Sequence, residues 1–240
     1  MTAIVTGGTS GIGLAAVKIF LAHNFNCVLV GRSQQKFDKI KSELDGSFDF
    51  ISADVRCVED CERIIARTVE FFGGVDVLIN SAGIYAEGAI TAMDEKIFDD
   101  IFATNVKGTF FVTQAAVGEL IKSRGAIVNV ASDAGLKGNY FCAAYSASKG
   151  AVVAFTKSLA LELASFSVRV NCVAPGDVLT PLTLSQLKTS GATVEELAKI
   201  YPLGRIGTAD EIAAAIYFLA SESASFITGA ILSVDGGLTA

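Results

Sequence analysis

Tryptophan is absent from this 240-residue chain, histidine occurs once and proline three times. The single histidine, His23, stands beside Asn24 at the end of a helical stretch. A histidine-based metal cluster is therefore excluded, and a Ser-His-Asp triad would have to use that one surface-like residue. A basic excess is missing too: 19 Lys+Arg against 25 Asp+Glu give a net charge of −6 and a pI near 4.9. A protein that lives on phosphate contacts needs a basic stripe, so no nucleic-acid partner is expected. Apolar residues make up 51% of the chain and the mean hydropathy is +0.51. Even so, the apolar runs, such as 27–30 and 212–220, stop well short of the ~18 residues a membrane span needs, and no membrane partner is expected. The five cysteines (27, 57, 61, 142 and 172) are an odd number without a disulfide-framework spacing. No signal peptide precedes the first strand-like run at 2–6, and a reducing, cytoplasmic setting is the expectation. Cys57 and Cys61 lie four apart with no second pair and read as helix-face residues, so no metal is expected.

Short β-branched runs alternate with longer helical patterns along the whole chain. Strands are expected near 2–6, 26–31, 48–53, 75–80, 125–131, 167–173 and 230–234. Helices are expected near 11–23, 33–45, 57–72, 94–122, 144–165 and 208–220. Strands such as Val75-Asp76-Val77-Leu78-Ile79 and Ala126-Ile127-Val128-Asn129-Val130 are apolar on both faces, as buried parallel strands are when helices cover both sides. The fold class that follows is α/β, a doubly wound parallel sheet of Rossmann type with helices on both faces, in a single domain over 1–240. The exception is the stretch 175–207, which holds all three prolines and helix-like pieces near 181–188 and 193–200 where a short βα loop is the norm. It reads as a lid over a ligand at about 177–205.

The first strand runs directly into Thr6-Gly7-Gly8-Thr9-Ser10-Gly11-Ile12-Gly13 and then a helix. Glycines there let the backbone turn tightly against a pyrophosphate, whose charge is met by the N–H groups of the helix N-terminus. Placed between first strand and first helix, the motif reads as a dinucleotide site. The second strand ends at Val30-Gly31-Arg32-Ser33. An acid there would hold the ribose 2′-OH of NAD; here Gly31 stands in its place and Arg32 follows, which suits the 2′-phosphate of NADP. NADP(H) is thus the preferred coenzyme, with NAD(H) held by other contacts as the alternative. Tyr145-Ser146-Ala147-Ser148-Lys149 puts a phenol and an ammonium four apart on one helix face. A free phenol, with its pKa of ~10, is a poor base at neutral pH, and a nearby ammonium favours the phenolate.

Together these residues resemble the short-chain dehydrogenase/reductase family in its single-domain form. The resemblance runs over nearly the whole chain, adding Asp54-Val55, Asn80-Ser81-Ala82-Gly83, Asn105-Val106-Lys107-Gly108, Ser132, Pro175-Gly176-x-Val178-x-Thr180 and the final Val234-Asp235-Gly236-Gly237. It implies that Tyr145 is the general acid/base, that Lys149 depresses its pKa and binds the nicotinamide ribose, that Ser132 polarises the substrate oxygen, and that Asn105 anchors a relay water. It further implies a coenzyme held by Gly7, Thr9, Ser10, Gly11, Ile12 and Gly13, and by Arg32, Ser33, Asp54 and Val55 near the adenosine. Asn80, Ala82 and Gly83, then Pro175, Gly176, Val178 and Thr180, complete its cleft. Ser81 departs from the usual Asn-Asn-Ala-Gly. Phe166 departs from an arginine common in the branch that reduces carrier-tethered acyl groups.

The implied reaction is hydride transfer between the nicotinamide and a small carbonyl or alcohol substrate. Two donors aimed at the oxygen stabilise the charge that develops there. Ser132, Tyr140, Cys142, Tyr145 and Leu182 are the candidate substrate contacts, with Ile84 and Leu184 beside them and only Lys137 at the rim. A neutral alcohol or ketone fits that lining. A 3-oxoacyl-carrier-protein reductase is the alternative enzyme, and a non-catalytic dinucleotide sensor the alternative from another class. The helix at 144–165 is apolar nearly all round, with Lys157 and Glu162 as the only charges over 150–165. It and the apolar segment 226–238 point to a homotetramer, with a dimer as the fallback.

Overall fold

The computed structural model describes residues 1–240, the side chain of Ser190 excepted. Seven parallel strands form one sheet in the order β3-β2-β1-β4-β5-β6-β9, from β1 (Thr2–Thr6), β2 (Asn26–Gly31), β3 (Phe48–Ser52), β4 (Val77–Asn80), β5 (Ala126–Val130), β6 (Arg169–Pro175) and β9 (Ile231–Val234). This is the doubly wound architecture expected. The inner strands β1, β4 and β5 are buried at every position and mostly apolar, because each pleat face meets a different helical layer. Ala3 and Val5 of β1 pack with Phe20 of α1 (Gly11–Ala22) and Ile216 of α9 (Ala209–Ala220), whereas Ile4 between them packs with Ile64 of α3 (Val58–Phe72) and Leu120 of α5 (Thr109–Ser123). Phe20 is fully buried and meets Phe25 and Tyr217 edge-on, at 5.0 and 5.3 Å. His23 stacks on Tyr217 at 4.1 Å, and its Nδ1 lies 2.8 Å from the Ile19 carbonyl, a structural post away from the cleft. Among the described residues no helix is long and apolar enough to cross a membrane.

Most expected boundaries shift by one or two residues, and three elements differ in a way that matters. The helix placed at 33–45 is α2 (Gln34–Ile40) followed by a 3-10 turn (Lys41–Glu43). The sixth strand runs two residues further than expected, to Pro175, because β9 pairs with it up to Pro175↔Val234. Expected as one helix, 94–122 is α4 (Glu95–Phe102), a π-helical segment (Ala103–Gly108) and α5. The wide turn brings the backbone of Gly108 against Val55, where a Cβ would come within 2.7 Å of the valine Cγ2. Such π-turns carry one extra residue and tend to mark functional positions; this one holds Asn105. The long α6 (Ala143–Leu163) follows β5.

The stretch after β6 is built from β7 (Val178–Leu179), α7 (Pro181–Ser190), α8 (Val194–Ala198) and β8 (Gly207–Thr208). Its two ends are clasped as a parallel pair, Val178↔Gly207 and Leu179↔Thr208. Thr180 caps α7, with Pro181 in its first turn, and α8 carries a capping box from Thr193 and Glu196. Local capping thus starts each short helix on its own.

Candidate active site

Strand order reverses between β1 and β4, and the crevice at their carboxyl ends is where a doubly wound sheet binds ligands. Thr6 ties the two ends together: its Oγ1 accepts from the N–H groups of Ser81 and Ala82, both at 3.1 Å. Gly7 then turns at φ +69°, in the left-handed region, with its missing Cβ only 3.0 Å from the Ala82 Cα. A side chain at Gly13 would collide with the Gly7 carbonyl. These glycines are what let the loop fold flat over the strand ends. Ser10 stands at the N-cap of α1 without a side-chain capping bond, and the first turn has no acid. The first-turn N–H groups, those of Gly11, Ile12 and Gly13, thus lack a side-chain cap and suit an anion. Thr180 faces Gly11 across the crevice, where a Cβ on the glycine would come within 3.4 Å of the threonine side chain. The root of the 178–208 stretch therefore forms the opposite wall of the same cradle.

At the adenosine end Gly31 lies under Thr9, and a Cβ on it would sit 3.2 Å from the threonine Oγ1. The second strand thus has little room at its tip for the carboxylate that would hold a 2′-OH. Arg32 is exposed and makes no ion pair or side-chain hydrogen bond among the described residues, and Ser33 caps α2 through the Lys36 N–H. The Asp54 carboxylate is gripped by Arg56 through Nε and the second guanidinium nitrogen, the latter at 2.7 Å. Arg56 holds it below the ordinary carboxylate range, with a smaller contribution through space from Arg32. Val55 is buried beneath Gly108.

Tyr145 and Lys149 share the first turns of α6. The buried Lys149 donates from Nζ to the Val130 carbonyl at 2.8 Å, and the ammonium lies 5.8 Å from the Tyr145 ring centre. Gly83 leaves room for it: a Cβ there would be 3.4 Å from Nζ. Ser132, at the carboxyl end of β5, is the hydroxyl nearest in role; it lowers the Tyr145 pKa, but burial, Asp133, Cys142 and Asp177 raise it, and burial prevails. The expected depression of the phenol by Lys149 is therefore not produced by the protein alone. Lys149 is spent on a carbonyl and is itself pushed down to about 8 by burial.

Asn105 works as a strut. Its side chain accepts from the Ile84 N–H at 2.9 Å and donates to the Ile84 carbonyl at 3.0 Å and to Ser148 Oγ at 3.1 Å, while Ser148 donates to the Tyr145 carbonyl at 2.7 Å. The loop after β4 is thereby fixed to α6. The Asn105 main-chain carbonyl in turn accepts from Thr109 Oγ1 at 2.8 Å. Asn80, expected along the coenzyme, ends β4 and turns its side chain into the layer under α5. There its Nδ2 donates to Thr113 and to Asn129, both at 2.9 Å, and Asn129 donates on to Thr156. The adjacent strands pair Asn80 with Asn129, so this buried ladder pins β4 to β5.

On the substrate side Cys142 is buried at the N-cap of α6, while Leu182 is half-exposed on α7 and Tyr140 is 93% exposed without a hydrogen bond or ring contact to the cluster. Pro175 ends β6, Val178 is buried, and Gly176 lies under Tyr201, with 2.7 Å from a would-be Cβ to the ring. Several residues here escape sequence reasoning. Tyr85 stands edge-on to Tyr145 at 4.8 Å, its hydroxyl donating to Glu87 at 2.6 Å and lying 3.2 Å from the Cys142 thiol. Asp133, 6% exposed, accepts from Ser132 Oγ at 2.8 Å and from Asn139 at 3.3 Å. Asp177 accepts from the Tyr201 hydroxyl at 2.7 Å and returns its own N–H to the same oxygen at 2.6 Å. Asp133 follows Ser132 and Asp177 the Pro-Gly corner, the one signal that could have found them. A cleft of 430 Å³ lies between Tyr201, Asp177 and Asp235.

A crossover sheet with a glycine loop at its switch point and a Tyr-x-x-x-Lys helix beside it defines a coenzyme-dependent hydride-transfer enzyme. The chain belongs to the short-chain dehydrogenase/reductase family; residues 7–239 match the family model described as enoyl-(acyl carrier protein) reductase. It is an NAD(P)-dependent oxidoreductase acting on carbonyl and alcohol groups. It is 38% identical over 239 residues to the 3-oxoacyl-(acyl-carrier-protein) reductase FabG of Thermotoga maritima, covering 98% of this chain and 96% of the relative. It is 37% identical over 238 residues to the L-fucose dehydrogenase of Bos taurus, covering 98% and 87%. Among solved structures, ElxO with NADP bound is 34% identical with a TM-score of 0.92, over 99% of this chain and 98% of that one.

Proposed function

We propose that the enzyme prefers NADP(H), with Tyr145 as general acid/base, Lys149 as the cation beside it, Ser132 as the hydroxyl on the substrate oxygen and Asn105 as the strut that sets the catalytic helix. The observation that carries this reading is the convergence of Tyr145, Lys149 and Ser132 at the carboxyl end of β5, beside the glycine cradle. The cradle fits a dinucleotide because only glycine clears the Gly7 carbonyl at position 13 and because the first turn of α1 has no side-chain cap. Pyrophosphate would lie over Gly7, Thr9, Ser10, Gly11, Ile12 and Gly13. Arg32 and Ser33 would take the 2′-phosphate, Asp54 and Val55 the adenine, and Ala82, Gly83, Pro175, Gly176, Val178 and Thr180 the nicotinamide half. When bound, the nicotinamide supplies or accepts the hydride. The protein's part is the proton: Tyr145 gives it to the carbonyl oxygen in reduction and takes it from the alcohol in oxidation, while Ser132 holds that oxygen in place. The stretch 177–205 serves as the substrate lid, clasped at its root by β7 and β8.

NADPH and NADH oxidation at 340 nm against a panel of ketones and a β-ketoacyl thioester tests the reading. Turnover supports it. Tight NADPH binding with no turnover of any carbonyl would instead favour a dinucleotide sensor, and strong preference for the thioester the carrier-dependent reductase. Phe166, half-exposed at the position of the carrier branch's arginine, supplies no cation for an acidic carrier. Arg32→Ala is expected to raise the KM for NADPH about tenfold, the low end of a charge-assisted contact, and to leave that for NADH nearly unchanged. Equal effects on the two coenzymes would overturn the NADP assignment.

Assembly is proposed as a homotetramer. Phe98 stacks on Phe102 at 4.5 Å and Phe110 leans on Phe155 at 5.4 Å, yet Phe98, Phe110 and Leu161 remain exposed along α4, α5 and α6. Phe226 is also fully exposed. Patches of this kind on a soluble chain are normally covered by a partner. Light scattering is expected to find about four times 25.0 kDa, and Phe155→Glu to yield smaller species. An active wild-type monomer would sink the proposal.

A further inference from the structure

Resting on that reading of Tyr145, the geometry points to Asp177 as a specificity-determining residue that selects a polyhydroxylated substrate, one with a hydroxyl next to the reacting carbon, over a carrier-bound acyl chain or a simple ketone. The catalytic cleft is walled by the carboxyl ends of β5 and β6, which run side by side with Val130 opposite Val173. Each sends a carboxylate past its end: Asp133 just after Ser132, and Asp177 just after the Pro175-Gly176 corner. Neither forms an ion pair among the described residues.

Asp133 is nearly covered, and its two oxygens are occupied by the Ser132 hydroxyl and the Asn139 amide. Asp177 is half-buried and held rigid. Tyr201 donates to Oδ2 and receives the Asp177 N–H, so the side chain cannot swing away, while Oδ1 has no partner among the described residues. Burial raises the Asp177 pKa, the Tyr201 hydrogen bond lowers it, and through space Asp133 raises it while Lys137 at the rim lowers it; the fields of Asp133 and Asp177 both reach Tyr145. A fixed acceptor with one lobe free and a like charge nearby gains from a hydroxyl donor and loses from an anion or a bare methylene. A site built to hydrogen-bond a substrate hydroxyl rejects the analogue that lacks it, because its own polar group is then left unpaired. No covalent step is added; the hydride and proton move as above.

The test is a comparison of kcat/KM. Wild type is assayed with NADP+ on aldoses and polyols and on cyclohexanol, and with NADPH on cyclohexanone and an acetoacetyl thioester. The expected result is a preference of at least tenfold for the best polyhydroxylated compound over cyclohexanol. In Asp177→Ala the ratio of these two values is expected to fall by about tenfold or more. Asp177→Asn, which keeps a hydrogen-bond partner for Tyr201, is expected to fall in between and reports whether the lid root is intact. Preference for the thioester or the cyclohexyl pair would overturn the assignment while leaving the oxidoreductase chemistry standing, as would an Asp177→Ala variant that lowers both values equally. Inactivity on every compound with either coenzyme would overturn the reading of Tyr145 and this inference with it.

Discussion

Tyr145→Phe is expected to lower kcat by about 10² or more, the usual contribution of a positioned acid/base group, with NADPH affinity nearly unchanged. The ring is kept, so its edge-on contact with Tyr85 at 4.8 Å survives, and only the dissociable proton and the donor to the substrate oxygen are lost. The loss is expected in both directions, since one phenol serves as acid for reduction and base for oxidation. Stopped assays for kcat and a fluorescence titration of NADPH separate the two quantities. A variant with more than half of wild-type activity would remove Tyr145 from the reaction. A variant that also lost NADPH binding would show that the hydroxyl holds the ribose rather than moving the proton.

How far the sequence could be read depends on whether a feature is local. The glycine loop is legible because a tight turn between strand and helix tolerates almost nothing else, and the structure shows the backbone contact at Gly13 that enforces it. Alternation of doubly apolar strands with helices gave away the sheet for the same reason, since each face of β1 meets its own helical layer. Asn105 could be placed on a helix, but not in a π-helical turn. That turn seats Gly108 against Val55, a contact between residues 53 apart in sequence. Asn80 shows what a motif alone leaves open. A motif put it along the coenzyme, while its side chain is committed to Thr113 and Asn129 on neighbouring elements. Asp133 and Asp177 carry no pattern of their own; only the adjacency of β5 and β6 brings them to one crevice. The Tyr145–Lys149 pair was visible as spacing, but its energetics were not, because burial rather than the ammonium dominates the phenol.

Lys149→Ala follows from that balance and has a distinctive pH signature. The ammonium favours the charged phenolate, so its removal raises the Tyr145 pKa further, and the profile for alcohol oxidation moves to higher pH. At 5.8 Å from the ring centre and an effective dielectric of about 20, the attraction is about 3 kcal/mol, equivalent to ~2 pH units at most. Burial has pushed Lys149 down to about 8, so in the wild type this help is present below that pH and fades above it. At saturating coenzyme the profiles of wild type and variant are therefore expected to lie far apart at neutral pH and to draw together in alkali. Coenzyme affinity should also weaken, through lost contact with the nicotinamide ribose. A rate deficit of constant size from neutral to alkaline pH would assign Lys149 to holding α6 against the Val130 carbonyl, and the phenol would then owe its reactivity to the bound nicotinamide alone.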